Sequence, residues 1–205
     1  MDNWNKLADK EIVDKTIEAL KANGIEAKFV QTGEDAKKEI FAIIPKGAEV
    51  MTMSSVTIDA LGISKQIQES GEYNSVKNKL NSMNRETEGQ EMSGIGSAPD
   101  WSVGSVHAVS EEGHLFIASN TGSQLPAYAS GAAHVIWVVG TQKIVKNNDS
   151  ALKRIYEYVL PLESARINKV YNMTKGSFVS KILIINREIK PGRITLIFVN
   201  EVLGF

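Results

Sequence analysis

The chain has 205 residues, enough for one domain with a sizeable core. Hydrophobic residues make up 42% and charged residues 23%, the balance of a soluble globular protein, and a formal net charge of -1 gives no pull toward nucleic acid or an anionic membrane. The absence of cysteine excludes disulfides, thiolate metal sites, cysteine-held iron–sulfur clusters and cysteine nucleophiles. The opening Met1-Asp2-Asn3-Trp4-Asn5-Lys6 is polar and unlike a signal peptide, and no stretch is long and apolar enough to span a bilayer. A cytoplasmic protein is the expectation.

Trp4, Leu7, Ala8, Val13, Ile17 and Leu20 recur at helical spacing, so residues 3–22 read as an amphipathic helix ended by Asn23-Gly24. Residues 25–30 alternate as a strand, and 33–44 form a second helix stopped before Pro45. Val50-Met51-Thr52-Met53 is a short buried strand. Ser54-Ser55-Val56-Thr57 follows as a helix-start signal, and that helix carries Ile58, Leu61, Ile63 and Ile67. Tyr73, Val76, Leu80 and Met83 suggest one more short helix. Residues 85–100 are polar and glycine-rich, and read either as a surface loop or as a lid over a site.

Residues 103–109 read as one strand, turned by Glu111-Glu112-Gly113 into Leu115-Phe116-Ile117-Ala118 as a short hairpin near 105–118. Thr121-Gly122-Ser123 precedes a helical segment over 124–130. Val135-Ile136-Trp137-Val138-Val139 is the most apolar strand and reads as central. Helices follow over 149–159 and from Pro161, then late strands over 181–185 and 194–199 around a Lys190-Pro191-Gly192 turn. The expected fold is α/β in one domain over 1–205, with a mostly parallel, doubly wound, Rossmann-like sheet flanked by helices.

In such a sheet the ligand crevice lies beyond the carboxyl ends of the strands. Three polar clusters fall there: Ser54, Ser55 and Thr57; Ser119, Thr121, Gly122, Ser123 and Gln124; and Gly140, Thr141, Gln142 and Lys143. Hydroxyls, free N–H groups at helix starts and one lysine suit a small anionic metabolite. Helix capping explains Thr57 or Thr121 taken singly; three clusters at one rim point to a site. No P-loop and no dinucleotide fingerprint is present. Alternation puts Ser105, His107, Val109 and Glu111 on one face, making Glu111 the candidate catalytic carboxylate and His107 its proton partner. The competing reading has Glu111 and Glu112 as exposed hairpin residues and His107 as a hydrogen-bonded core histidine.

His107, His114 and His134 have no metal-ligand spacing, so no metal site is assigned, although an all-oxygen site stays open. No cofactor is identified. Glu163 and Arg166 are spaced as a surface ion pair, and Trp101 and Trp137 as apolar anchors.

Residues 103–113, with Ser119-Asn120-Thr121-Gly122-Ser123-Gln124-Leu125-Pro126, resemble the LUD-domain family of lactate-utilisation proteins. Residues 135–143, Pro161-Leu162-Glu163 with Arg166, Pro191-Gly192-Arg193-Ile194 and Glu201-Val202-Leu203-Gly204-Phe205 fit it too. The match is strong over the second half of the chain and a matter of pattern over the first. The resemblance implies a NagB/RpiA/CoA-transferase-like α/β fold, the short single-domain type of member, and a bacterial setting of lactate or related organic-acid use. It also implies iron–sulfur partner proteins for some members. Ser110-Glu111-Glu112-Gly113 resembles the Ser-Glu-Asn-Gly turn that carries the catalytic glutamate of CoA-transferases, with Glu112 in place of Asn. Three functions follow as expectations: a protein acting on a small anionic metabolite, a non-catalytic accessory subunit of an iron–sulfur lactate-oxidising system, or a CoA- or phosphosugar-handling enzyme. A homodimer is compatible with the apolar Leu203 and Phe205, which core packing explains equally well.

Overall fold

Seven residues, His134–Gly140, form the most deeply buried strand, and their alternation divides the interior in two. Val135, Trp137 and Val139 face one cluster of buried side chains; Ile136 and Val138 face another. A strand apolar at every position is buried on both faces, as parallel sheets require.

A computed structural model describes residues 3–171 and 176–205. In chain order its elements are α1 (Lys10–Ala22), β1 (Glu26–Val30), α2 (Gly33–Ile43), β2 (Glu49–Thr52), α3 (Val56–Ala60), α4 (Ile63–Glu69), β3 (Asn74–Ser75), α5 (Val76–Ser82), α6 (Arg85–Ser97), β4 (Trp101–Gly104), β5 (Ala108–Ser110), β6 (Leu115–Ser119), β7 (His134–Gly140), β8 (Ile144–Val145), α7 (Asn148–Arg154), α8 (Leu160–Tyr171), β9 (Lys181–Ile185) and β10 (Ile194–Val199). Six strands form a parallel sheet in the order β1-β10-β7-β4-β2-β3. This is the Rossmann-like α/β sheet that the alternation of helices and strands predicts. Residues of α2, α3 and α4 cover one face through Ala36, Ile40, Ile58, Ile63 and Ile67. The other face packs against α1, α5 and a second sheet, ordered β8-β5-β6-β9. The expected hairpin is its centre: β5 and β6 pair antiparallel, and β9 extends β6.

Four expectations change. Residues 103–109 are two strands in different sheets, because the chain leaves the parallel sheet after Gly104. A Cβ at Gly104 would lie 1.9 Å from the Tyr128 hydroxyl oxygen, so this strand end approaches that ring as only glycine can. Residues 85–97 form a helix rather than a loop. The Asn84 side chain accepts from the Glu86 N–H, and Glu88 accepts from the Asn84 N–H at 2.6 Å. These start bonds outweigh three interior glycines. The first helix begins only at Lys10, and the helix after Thr57 breaks at Gly62, whose φ is +66°.

The helical residues 124–130 tighten to a π-turn over Ala127–Gly131, closed by the Ala132 N–H on the Ala127 carbonyl. Arg193 fixes this turn from beneath. Its guanidinium donates to the carbonyls of Ala127, Tyr128 and Ala132, and to Glu188 at 2.6 Å. Among the described residues no helix is long and apolar enough to cross a membrane.

Arg193 is buried to 4% with Glu188 beside it. Removing one partner strands the other charge and three carbonyls. Replacing Arg193 with Met is expected to lower the unfolding free energy by about 3–5 kcal/mol, read by urea denaturation.

Candidate functional site

A cavity of about 310 Å³ opens between the ends of the parallel strands and the second sheet. Ser54, Ser55 and Thr57 reach it from the β2–α3 connection, and Ser119, Thr121, Ser123 and Gln124 from the end of β6 and the turn after it. Lys143 and His107 complete the part of the site expected from sequence.

Lys143 is its electrostatic centre. It is buried to 1%, and its Nζ lies 3.1 Å from each of Thr57 Oγ1, Ser105 Oγ and the Val106 carbonyl. All three partners are neutral. Burial, with the Arg154 charge nearby, holds this amine well below its ordinary value near 10.5. Thr57 is positioned by donating to the Leu203 carbonyl at 3.2 Å, which also accepts from Gln142 Nε2 at 3.0 Å.

His107 accepts the Ala118 N–H on Nδ1 at 3.1 Å. The proton of the neutral ring therefore sits on Nε2, a donor for whatever enters the cavity. Burial, together with the charges of Lys143 and Arg154, lowers this histidine to about 3. Arg154 itself donates to the His107 carbonyl at 2.5 Å, while its Nε and one terminal nitrogen have no hydrogen-bond partner.

The remaining expected residues lie elsewhere. Glu111 does not line the cavity. It ends β5, which runs in the second sheet toward α1, so the hairpin tip lands on that helix. There Glu111 pairs with Lys15 at 2.8 Å, and Asn23 donates to the carbonyls of Glu112 and Gly113. The shared face expected for His107 and Glu111 is therefore absent. Gly140, Thr141 and Gln142 pack against the C-terminal segment instead. A Cβ at Gly140 would come within 2.4 Å of the Glu201 carbonyl, and Thr141 is fully buried. Gly122 shapes the turn, at φ +86°, with its N–H on Ser119 Oγ. Part of the polar cluster is internally satisfied, since Thr121 Oγ1 donates to Ser123 Oγ.

Sequence reasoning missed four contributors. Ser105 and Tyr128 lie at the cavity's inner end, and Glu163 and Arg166 at its wall. Arg166 meets Glu163 through two parallel bonds of 2.7 Å, which is more than the expected loose surface pair. The i, i+3 spacing was the available signal for that pair; nothing in the sequence placed it at the cavity.

The neutral His107 sets a pH dependence. Its folded value is below its unfolded one, so only the unfolded chain takes up the proton between about pH 6.5 and 3, and stability is lost as pH falls through that window. His107→Gln is expected to flatten the decline between pH 6.5 and 4.5 by about 1–2 kcal/mol relative to wild type, measured by urea unfolding at each pH.

Comparison with known proteins follows this geometry. The chain resembles the crystal structure of a DUF162 family protein from Deinococcus radiodurans, with a TM-score of 0.59 and 12% identity, over 95% of this chain and 99% of that one. At that identity the likeness concerns the fold. A ribose 5-phosphate isomerase from Plasmodium falciparum gives a TM-score of 0.28 at 12% identity, over 87% of this chain and 80% of that one, too low to carry an argument. No curated protein matches the chain. The family model of the LUD domain matches residues 13–199, nearly the whole chain, and the chain belongs to the LUD domain family.

Proposed function

We propose that this protein binds a small organic anion of the lactate type in the cavity above Lys143, in the service of lactate or related organic-acid metabolism. Membership of the LUD family supports a role related to lactate utilisation in general. The observation that carries the finer reading is Lys143 itself, a buried amine held by two hydroxyls and a carbonyl, with no carboxylate bonded to it among the described residues. An anion in the cavity supplies the missing counter-charge and lets the amine take up a proton. The hydroxyls of Ser54, Ser55, Thr121 and Ser123 line the same cavity as neutral partners for the anion's oxygens and for a substituent hydroxyl. Glu111 has no part in this reading, because its ion pair with Lys15 lies at the hairpin tip against α1.

The test is a thermal-shift series with lactate, pyruvate and related acids, set beside sugar phosphates, nucleotides and CoA esters. A ligand at one hundred times its Kd stabilises the folded state by about 2.7 kcal/mol, a rise of roughly 5–10 °C for a chain of this size. Small organic acids are expected to give that rise, and Lys143→Met to lose it while remaining folded. The affinity is expected to fall as pH rises, since binding couples to protonation of the amine. An equal shift in Lys143→Met overturns the reading, and a response confined to CoA esters or sugar phosphates moves it to those ligands. A folded protein that responds to none of them and co-purifies with an iron–sulfur protein replaces it with the accessory-subunit role.

A further inference from the structure

Lys143 does not line the cavity alone; Ser105, in contact with its amine, lines it too. Ser105 follows the last residue of β4, is half-buried, and lines the cavity, while Lys143 is buried behind it. The hydrogen bonds around Nζ can be assigned one by one. Thr57 spends its hydroxyl hydrogen on the Leu203 carbonyl, so Thr57 Oγ1 accepts from Lys143. The Val106 carbonyl can only accept. The third partner, Ser105 Oγ, accepts from Lys143 at 3.1 Å and turns its own hydroxyl hydrogen toward the Val106 carbonyl at 3.4 Å. Rotation about its Cβ–Oγ bond brings that hydrogen to the amine's lone pair when the amine is deprotonated. Among the described residues no carboxylate bonds Nζ to hold the ammonium form instead.

We propose that Ser105 and Lys143 form a serine–lysine dyad, with Ser105 Oγ as nucleophile and Lys143 Nζ as its base, that hydrolyses small acyl esters or thioesters. The proposal rests on the reading of the cavity as an organic-acid site, and makes that acid the product. Ser105 Oγ attacks the acyl carbon as its proton passes to Lys143 Nζ. The tetrahedral oxyanion collapses, the bond to the leaving oxygen or sulfur breaks, and the leaving group departs with the proton from Lys143. Water then attacks the acyl-serine, gives a proton to Lys143, and the carbon–Oγ bond breaks as Ser105 recovers its hydrogen. The net change is ester plus water to acid plus alcohol or thiol. His107 Nε2–H, in the same cavity, is the donor for the developing oxyanion. A Schiff base on Lys143 is the poorer use of this geometry, because the amine is enclosed and the serine is the group presented to the cavity.

The test uses the purified full chain with p-nitrophenyl acetate, a short acyl thioester and a fluorophosphonate. The chain has no cysteine, so every thiol released comes from the substrate. A single phosphonyl adduct on the peptide carrying Ser105 is expected in wild type and none in Ser105→Ala. Lys143→Met is expected to lower the labelling rate and kcat at least 100-fold with little change in KM, the loss of a general base. If Lys143→Met fails to fold, the pH profile of wild-type labelling decides. A rate that climbs to a plateau below pH 10 supports the dyad, and a rate without a titration overturns it. Absence of an adduct on Ser105, or labelling that is unchanged in a folded Lys143→Met, also overturns it. Organic acids that shift the melting midpoint of a protein without such labelling leave the binding reading standing and remove the dyad. Labelling without any acid response does the reverse.

Discussion

The fold depends on the two-sided burial of β7. Its residues alternate between two apolar clusters, so a slip of one position would exchange Trp137 and Val139 for Ile136 and Val138 on every contact. The neighbours in the sheet, β4 and β10, are held in register by this strand. The cavity groups at the strand ends are thereby fixed in height: Ser105 after β4, and Lys143 after β7. The helix-covered face is conventional. The opposite face is where this protein differs from a plain doubly wound sheet, because a second sheet rather than helices alone closes it.

That second sheet creates the cavity. The chain passes from one sheet to the other over Ser105–His107, where Ser105 Oγ and the Val106 carbonyl meet Lys143 before the His107 N–H joins the second sheet at the Phe116 carbonyl. Lys143 and Arg154 reach the same region from other elements, and both are buried with neutral hydrogen-bond partners. A buried amine or guanidinium without a paired carboxylate costs stability. Their retention in a largely apolar core is what a binding or reacting site requires, and it runs against what packing alone favours.

Much of this was legible in the residues. Five consecutive apolar residues, Val135 to Val139, announced β7, and short apolar strands ending in hydroxyl residues announced the rim built by Ser54, Thr57, Thr121 and Lys143. The helix over 85–97 was not, because it carries no apolar stripe, and its only start signal, Asn84 with Glu86 and Glu88, lay among glycines. The break after Gly104 was invisible because alternation continues straight through it; what ends the strand is a tyrosine hydroxyl contributed from 24 residues further along the chain. Glu111 was misplaced for a related reason. The rule that sites gather beyond strand ends holds for strands of one parallel sheet, and β5 belongs to the other sheet, whose tip faces α1.

The pairing of β1 with β10 has a consequence for how the chain is made. Residues 26–30 find their sheet partner only in residues 194–199, and Thr57 finds its acceptor only at Leu203. On a ribosome the first strand therefore waits, exposed along one edge, until almost the whole sequence has emerged. Neither the parallel sheet nor the cavity floor can be completed by any shorter nascent chain, so the site comes into existence together with the last strand rather than element by element.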